Sequence, residues 1–323
     1  MSEQQQFEGD RWTKQTIKIL SELGWVQIGS SNFDIPCVNK ALHSTGERER
    51  KNDHGIDSFF NYHDPYLNTE ENIIVESKKR KWSGITKTNV QKFTTQLLNT
   101  LECANLSPKL QELGYPPTNV GLLMIWCDEV NEYDYEKIKE YLSEVKTPNK
   151  KTPITIFIAT NHEILRWCSL IEQKNELLQN SEDFNFFYPS EYYRNGRSMS
   201  SQKKHVNLIQ MYSSYIFAKS RRKILIDEDT TKTIDIHHVF FFAEATKEEL
   251  DFLYELLGDF QFEDAHELHI HFYGEQTKYR ENIEEFLRRK KEKVKSNKHQ
   301  LKIKIKYMDV LNTVPEKYNV LED

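Results

Sequence analysis

The run Ile73-Ile74-Val75-Glu76-Ser77-Lys78 constrains this chain more than any other stretch. Three β-branched apolar residues in a row favour a strand buried on both faces. Yet the run ends in an acid and an amine two positions apart. Residues i and i+2 of a strand point to one face, so Glu76 and Lys78 share a face with Ile74. Unpaired buried charges are costly. A strand of this composition therefore folds only where partners for its charges are waiting. Upstream lies Gly55-Ile56-Asp57. If Asp57 sits on a neighbouring strand, two carboxylates and one amine converge. Two carboxylates can hold Mg²⁺, which takes oxygen ligands. The amine can then steer a water or neutralise charge on a phosphate. Plainer readings stand beside these: Gly-x-Asp is a common turn, and Glu76 with Lys78 could be an exposed ion pair.

The pattern along the chain predicts a helix over residues 7–23, with Phe7, Trp12, Ile19 and Leu23 as its stripe and Gly24 as its stop. Short strands are expected at 25–28 and 33–38, and a mobile polar loop over 39–54. Strands at 56–62 and 72–77 follow, then a helix at 88–103. A continuous apolar strand at 120–127, a helix at 135–145, a strand at 154–159 and a helix at 162–178 complete the first half. Apolar strands alternating with helices imply a mixed sheet covered on both faces. A domain boundary is placed in the polar, aromatic stretch 180–195. Beyond it, 206–219 reads as helical. The series strand 239–243, helix 247–257, strand 268–273, helix 279–294 and strand 301–307 reads as a second, smaller α/β domain. The expected domains are 1–180 and 181–323.

The order of these pieces resembles the PD-(D/E)xK nuclease superfamily, in particular its restriction endonuclease-like branch. The residues that carry the resemblance are Glu8 on the opening helix, Asp57 after Gly55-Ile56, and the strand ending in Glu76 and Lys78, followed by a helix. It covers roughly residues 5–175. Gly55-Ile56 stands where the family name has its proline. The resemblance implies a restriction endonuclease-like mixed sheet flanked by helices. It implies Asp57, Glu76, Lys78 and Glu8 as catalytic residues, with Asp57, Glu76 and Glu8 holding Mg²⁺ or Mn²⁺. It also implies hydrolysis of DNA in a restriction or anti-phage defence module, alongside a protein partner or a second copy. The rival is a subunit that keeps the fold, binds nucleic acid and does not cut. RNA is the rival substrate.

Lys79, Arg80 and Lys81 flank the Glu-x-Lys strand and read either as phosphate contacts or as a solvated turn. Gln91, on the following helix, reads either as a nucleic-acid contact or as an exposed glutamine. Net charge is −6 over 323 residues, which alone does not suggest a nucleic-acid binder. The charges are segregated, however. Ser77–Leu101, Tyr192–Ile226 and Phe286–Lys306 are rich in bases and nearly free of acids, a pattern that permits a basic, phosphate-facing surface. Tyrosines interleave the bases of the second block and suit stacking on bases. The cysteines Cys37, Cys103, Cys127 and Cys168 form no C-x-x-C pair, which argues against a zinc knuckle or a disulfide framework. His237-His238 and His269-Ile270-His271 have no third ligand at a suggestive spacing. Asn161 reads as a helix cap, and the loop histidine His54 as a surface residue. No Gly-x-x-x-x-Gly-Lys loop is present. No apolar run is long enough to span a bilayer, and the opening residues have no secretion-signal pattern. A cytoplasmic location, with no membrane partner, is expected.

Overall fold

The computed structural model describes residues 3–43, 53–112, 114, 118–148, 153–189, 202–227, 230–295 and 301–319. Most of the expected loop at 39–54, and the tyrosines Tyr192 and Tyr193, lie outside the described residues. The chain divides into two compact units. One comprises Met1–Asp64, Asn68–Leu165 and Asn312–Asp323, the other Pro65–Leu67 and Arg166–Leu311. The last helix of the first half, expected at 162–178, runs across that division.

The first unit opens with helix α1 (Glu3–Glu22) and strands β1 (Val26–Gln27), β2 (Phe33–Ile35), β3 (His54–Ile56), β4 (Ser58–Asp64) and β5 (Thr69–Arg80). Helices α2 (Lys87–Ala104) and α3 (Pro108–Gln111), strand β6 (Val120–Cys127), helix α4 (Tyr135–Ser143), strand β7 (Thr155–Ala159) and helix α5 (Asn161–Gln179) follow. The main sheet has the order β1-β4-β5-β6-β7, and β2 pairs with β3 in a separate small ladder. The β4–β5 pair is antiparallel, whereas β5–β6 and β6–β7 are parallel. This is the mixed sheet flanked by helices that the resemblance implies.

The two faces of β5 explain its composition. Ile74 packs with Phe93, Leu97 and Leu101 of α2 and with Leu123 and Ile125 of β6. On the other face, Trp12 of α1 stacks on Trp126 with ring centroids 5.6 Å apart. Trp12 Nε1 also donates to the Met124 carbonyl at 3.5 Å. Burying Ile73, Ile74 and Val75 completely contributes about 2 kcal/mol per side chain. Together that is of the size needed to hold one desolvated carboxylate at the strand's end. Gly24, at φ 91°, ends α1 in the left-handed region. Phe7, expected in the α1 stripe, is instead about half exposed.

The second unit adds strands β8 (Asp183–Phe187) and β9 (Gln202–Lys203), helix α6 (Leu208–Met211) and strands β10 (Tyr215–Leu225) and β11 (Thr231–Phe241). Helix α7 (Lys247–Asp259), strand β12 (Glu267–Tyr273), helix α8 (Arg280–Lys295) and strand β13 (Lys302–Met308) complete it. Its sheet has the order β13-β12-β11-β10-β8-β9. β11, β12 and β13 are parallel neighbours connected through α7 and α8. The helix expected over 206–219 is corrected. Asn207 caps a four-residue helix by accepting from the Gln210 N–H, and the chain then turns into β10. Tyr215, Ile216 and Phe217 have strand-forming side chains, and an eleven-residue antiparallel register with β11 decides their state.

Candidate active site

Asp57 lies between β3 and β4, one residue past the end of β3. The β4–β5 register places Ser58 opposite Val75, so Asp57 arrives beside the Glu76 end of β5. The Ser77 backbone N–H donates to Asp57 Oδ2 at 2.6 Å. Lys78 Nζ lies 3.8 Å from the same oxygen and forms an ion pair with Glu76 Oε1. The two carboxylates and the amine thus meet at one point, at the end of a strand whose apolar part is fully buried.

The electrostatics of this group are unbalanced. Glu76 is 7% exposed. Burial, with the Asp57 charge adding to it, pushes its carboxyl up to about 7 despite the opposing pull of Lys78. Burial alone works to lower the Lys78 amine, but the charges of Glu76 and Asp57 outweigh it and hold it above its usual value. Two acids against one base leave a surplus negative charge in a poorly hydrated corner. A hard divalent cation with oxygen preference fits this donor set. Asp57 and Glu76 are the residues that would hold it.

Glu8 sits elsewhere. Its ion pair is with Lys79, which lies on the face of β5 opposite Glu76 and Lys78. The hydrogen bond from Lys79 is the main cause of a lowered Glu8 carboxyl. The structure therefore brings Asp57, Glu76 and Lys78 together, and joins Glu8 to the strand through Lys79. The neighbouring bases are engaged as well. Arg80 lies over the Phe93 ring at 5.2 Å and donates to the Lys79 carbonyl. Lys81 is mostly exposed and 3.6 Å from Glu129. Gln91 uses both ends of its amide on the Lys146 backbone, donating to the carbonyl at 2.9 Å and accepting from the N–H at 2.8 Å. That ties α2 to the segment after α4.

Asn161 is not the cap of α5. Its amide pairs with both the N–H and the C=O of Cys127, the last residue of β6. The capping contact comes from Glu163, which accepts from the Thr160 N–H. In the second unit a third histidine joins the expected pair: ligand atoms of His238, His269 and His271 lie within 4.8 Å of one another. Two His238 nitrogens are taken, one by Ser220 at 2.8 Å and one by His271 at 3.0 Å. His237 lies apart from this group and donates to the Phe262 carbonyl at 2.9 Å. A second group the sequence pattern does not reveal gathers Cys37, His43, His54 and Cys103. No local spacing signals it, because its members come from four separate places in the chain.

Among the described residues, no helix is long and apolar enough to cross a membrane. No curated protein matches the chain. A family model described as the GAPS4 protein PD-(D/E)XK nuclease domain matches residues 1–163, a span that contains α1, the Asp57 turn, β5 and β7. With its fold and this match over half of the chain in agreement, the chain belongs to the GAPS4 PD-(D/E)XK nuclease domain family.

Proposed function

We propose that this protein is a nuclease that hydrolyses phosphodiester bonds of DNA with Mg²⁺ or Mn²⁺, within an anti-phage defence or restriction module and together with a protein partner or a second copy. The observation that carries the reading is the meeting of Asp57, Glu76 and Lys78 at one buried strand end. Asp57 and Glu76 would bind the divalent ion, which when bound supplies Lewis acidity toward the scissile phosphate and its attacking water. Asp57 is held for that task by the Ser77 N–H. Lys78 keeps its proton at neutral pH because two acids surround it. It therefore serves as a fixed donor that stabilises negative charge growing on the phosphoryl oxygens, not as a base. Glu8 would support the site by fixing Lys79, or reach the ion through water. Lys79, Arg80, Lys81 and Gln91 are candidate contacts to the nucleic-acid backbone, for which their present partners would have to be exchanged.

The test is cleavage of plasmid, single-stranded DNA and RNA by the purified chain with Mg²⁺ or Mn²⁺. Wild type is compared with Asp57→Ala and Lys78→Ala. Metal-dependent cutting of DNA, lost by at least about 100-fold in both variants, is the expected result. Unchanged cutting in the variants would displace the site, and preference for RNA would change the substrate. Binding without cutting in the wild type would support the non-catalytic subunit.

A further inference from the structure

We propose that Cys37, His43, His54 and Cys103 form a structural Zn²⁺ site that fastens the β2–β3 ladder to α2. The four residues are all buried, with exposures of 4%, 2%, 1% and 0% respectively. His43 Nδ1 lies 3.4 Å from Cys37 Sγ, 3.5 Å from Cys103 Sγ and 3.2 Å from His54 Nε2. With Zn–S of about 2.3 Å and Zn–N of about 2.0–2.1 Å, a tetrahedral site has N···S edges of about 3.6 Å and an N···N edge of about 3.3 Å. The observed separations are those edges to within a few tenths of an ångström.

The other three side chains converge on one atom, His43 Nδ1. His43 Nδ1 meets three polar atoms, and one ring nitrogen carries at most one proton or one lone pair. The outer nitrogens settle the tautomers. His43 Nε2 faces the Glu102 carboxylate at 2.9 Å and must donate to it. The Thr100 hydroxyl gives its proton to the Gln96 carbonyl at 3.0 Å, so at 3.4 Å it can only accept from His54 Nδ1. Both imidazoles then turn lone pairs toward each other across 3.2 Å. A cation between them removes that repulsion. Without a metal, burial pushes the Cys103 thiol up, although backbone N–H groups of Val38 and Asn39 approach its sulfur and oppose that. A carboxylate or a hydroxyl on the far nitrogen of each ligating histidine is the outer support that metal-bound imidazoles use.

Two thiolates and two imidazoles select Zn²⁺ over Mg²⁺ or Ca²⁺, and four protein ligands leave no open position for catalysis. Binding expels the two thiol protons. His54 is the first residue of β3, and Asp57 follows that strand directly. The site thus anchors the strand that leads into Asp57, and it stands whether or not the chain cuts nucleic acid.

The test is metal analysis of the full chain, expressed with zinc and purified under reducing conditions without chelator. One zinc ion per chain is expected, retained in Asp57→Ala and lost in Cys103→Ser and His43→Ala. Cobalt exchanged into the wild type should show tetrahedral d–d bands and a thiolate-to-cobalt charge-transfer band. The ligand-preserving Cys103→His should keep the metal and weaken that band. The cobalt spectrum decides the matter if the serine variant does not fold. Absence of both stoichiometric zinc and cobalt bands in the wild type, zinc unchanged in a folded Cys103→Ser, or a Cys37–Cys103 disulfide would each overturn the proposal.

Discussion

Glu76 is held among apolar residues and faces Asp57, so ionising it in the metal-free protein is unfavourable. Glu76→Gln keeps the shape and removes the charge. Without divalent ions, its Tm should equal or exceed that of the wild type, because the strained charge is gone. Cleavage should nonetheless fall at least about 100-fold. In the wild type, Mg²⁺ at 100 times its Kd should stabilise by about 2.7 kcal/mol, and the variant should lose this Tm shift. Differential scanning fluorimetry with and without Mg²⁺ checks both halves, and a large drop in Tm for metal-free Glu76→Gln would refute the account. The acid–amine pair was legible in the sequence because i and i+2 share a strand face, and it needs only one neighbour to complete it. The placement of Glu8 was not. Helical periodicity puts it on α1, but which β5 side chain it meets depends on how α1 docks, and it meets Lys79. Gln91 fails to read for a similar reason, since its partner Lys146 lies far along the chain.

Among the elements, strands with one dominant composition were legible and strands fixed by distant partners were not. Val120–Cys127 coincides with β6, whose continuous apolar run suits a strand covered on both faces. β8 and β10 were missed. Phe184 and Phe186 lie in a polar stretch that reads as a linker, and Tyr215–Lys219 falls inside the stretch 206–219 that reads as helical. β8 owes its state to antiparallel pairing with β10, and β10 owes its state to pairing with β8 and, along its whole length, with β11. The fit of α2 on β6 offers a test at this scale. A Cβ on Gly121 would lie 2.9 Å from both Leu101 Cδ1 and Leu97 Cδ2. Gly121→Ala must therefore move two buried leucines or shift the helix. A loss of about 1–3 kcal/mol is expected. It should appear as a lower urea midpoint at unchanged slope. A variant as stable as the wild type would mean that α2 is less tightly seated than the contacts show.

At the scale of the molecule, many described bases of the sequence's basic blocks pair with acids from other stretches of the chain. Lys79 meets Glu8, Lys87 meets Glu144, Arg221 meets Asp183, Lys290 meets Glu263 and Lys304 meets Glu267. A linear basic block is therefore not a basic surface, and the more exposed of these pairs, Lys87–Glu144 and Arg221–Asp183, add little stability. The larger pH lever is the set of buried histidines in the second unit. Burial, reinforced by Lys219, lowers His237 to about 4. Burial likewise lowers His269 to about 4, although Glu267 opposes it. His238 and His271 are depressed further, again by burial first. An unfolded chain takes up these protons near pH 6.5, whereas in the folded chain His237 and His269 do so only near 4 and His238 and His271 lower still. Between those values the unfolded state binds more of these protons, so the histidines' contribution to stability is level above about pH 6.5 and falls as the pH drops toward 4, whereas the raised Glu76 carboxyl acts in the opposite sense up to about 7. His237 alone accounts for about 3 kcal/mol over that window. Urea unfolding at a series of pH values should show a steep acid-side slope, and His237→Gln should flatten it by the share of one histidine. Zinc loss at low pH would affect wild type and variant alike, so the difference between their slopes isolates His237. Parallel slopes would show that His237 takes up its proton in the folded state as readily as in the unfolded one.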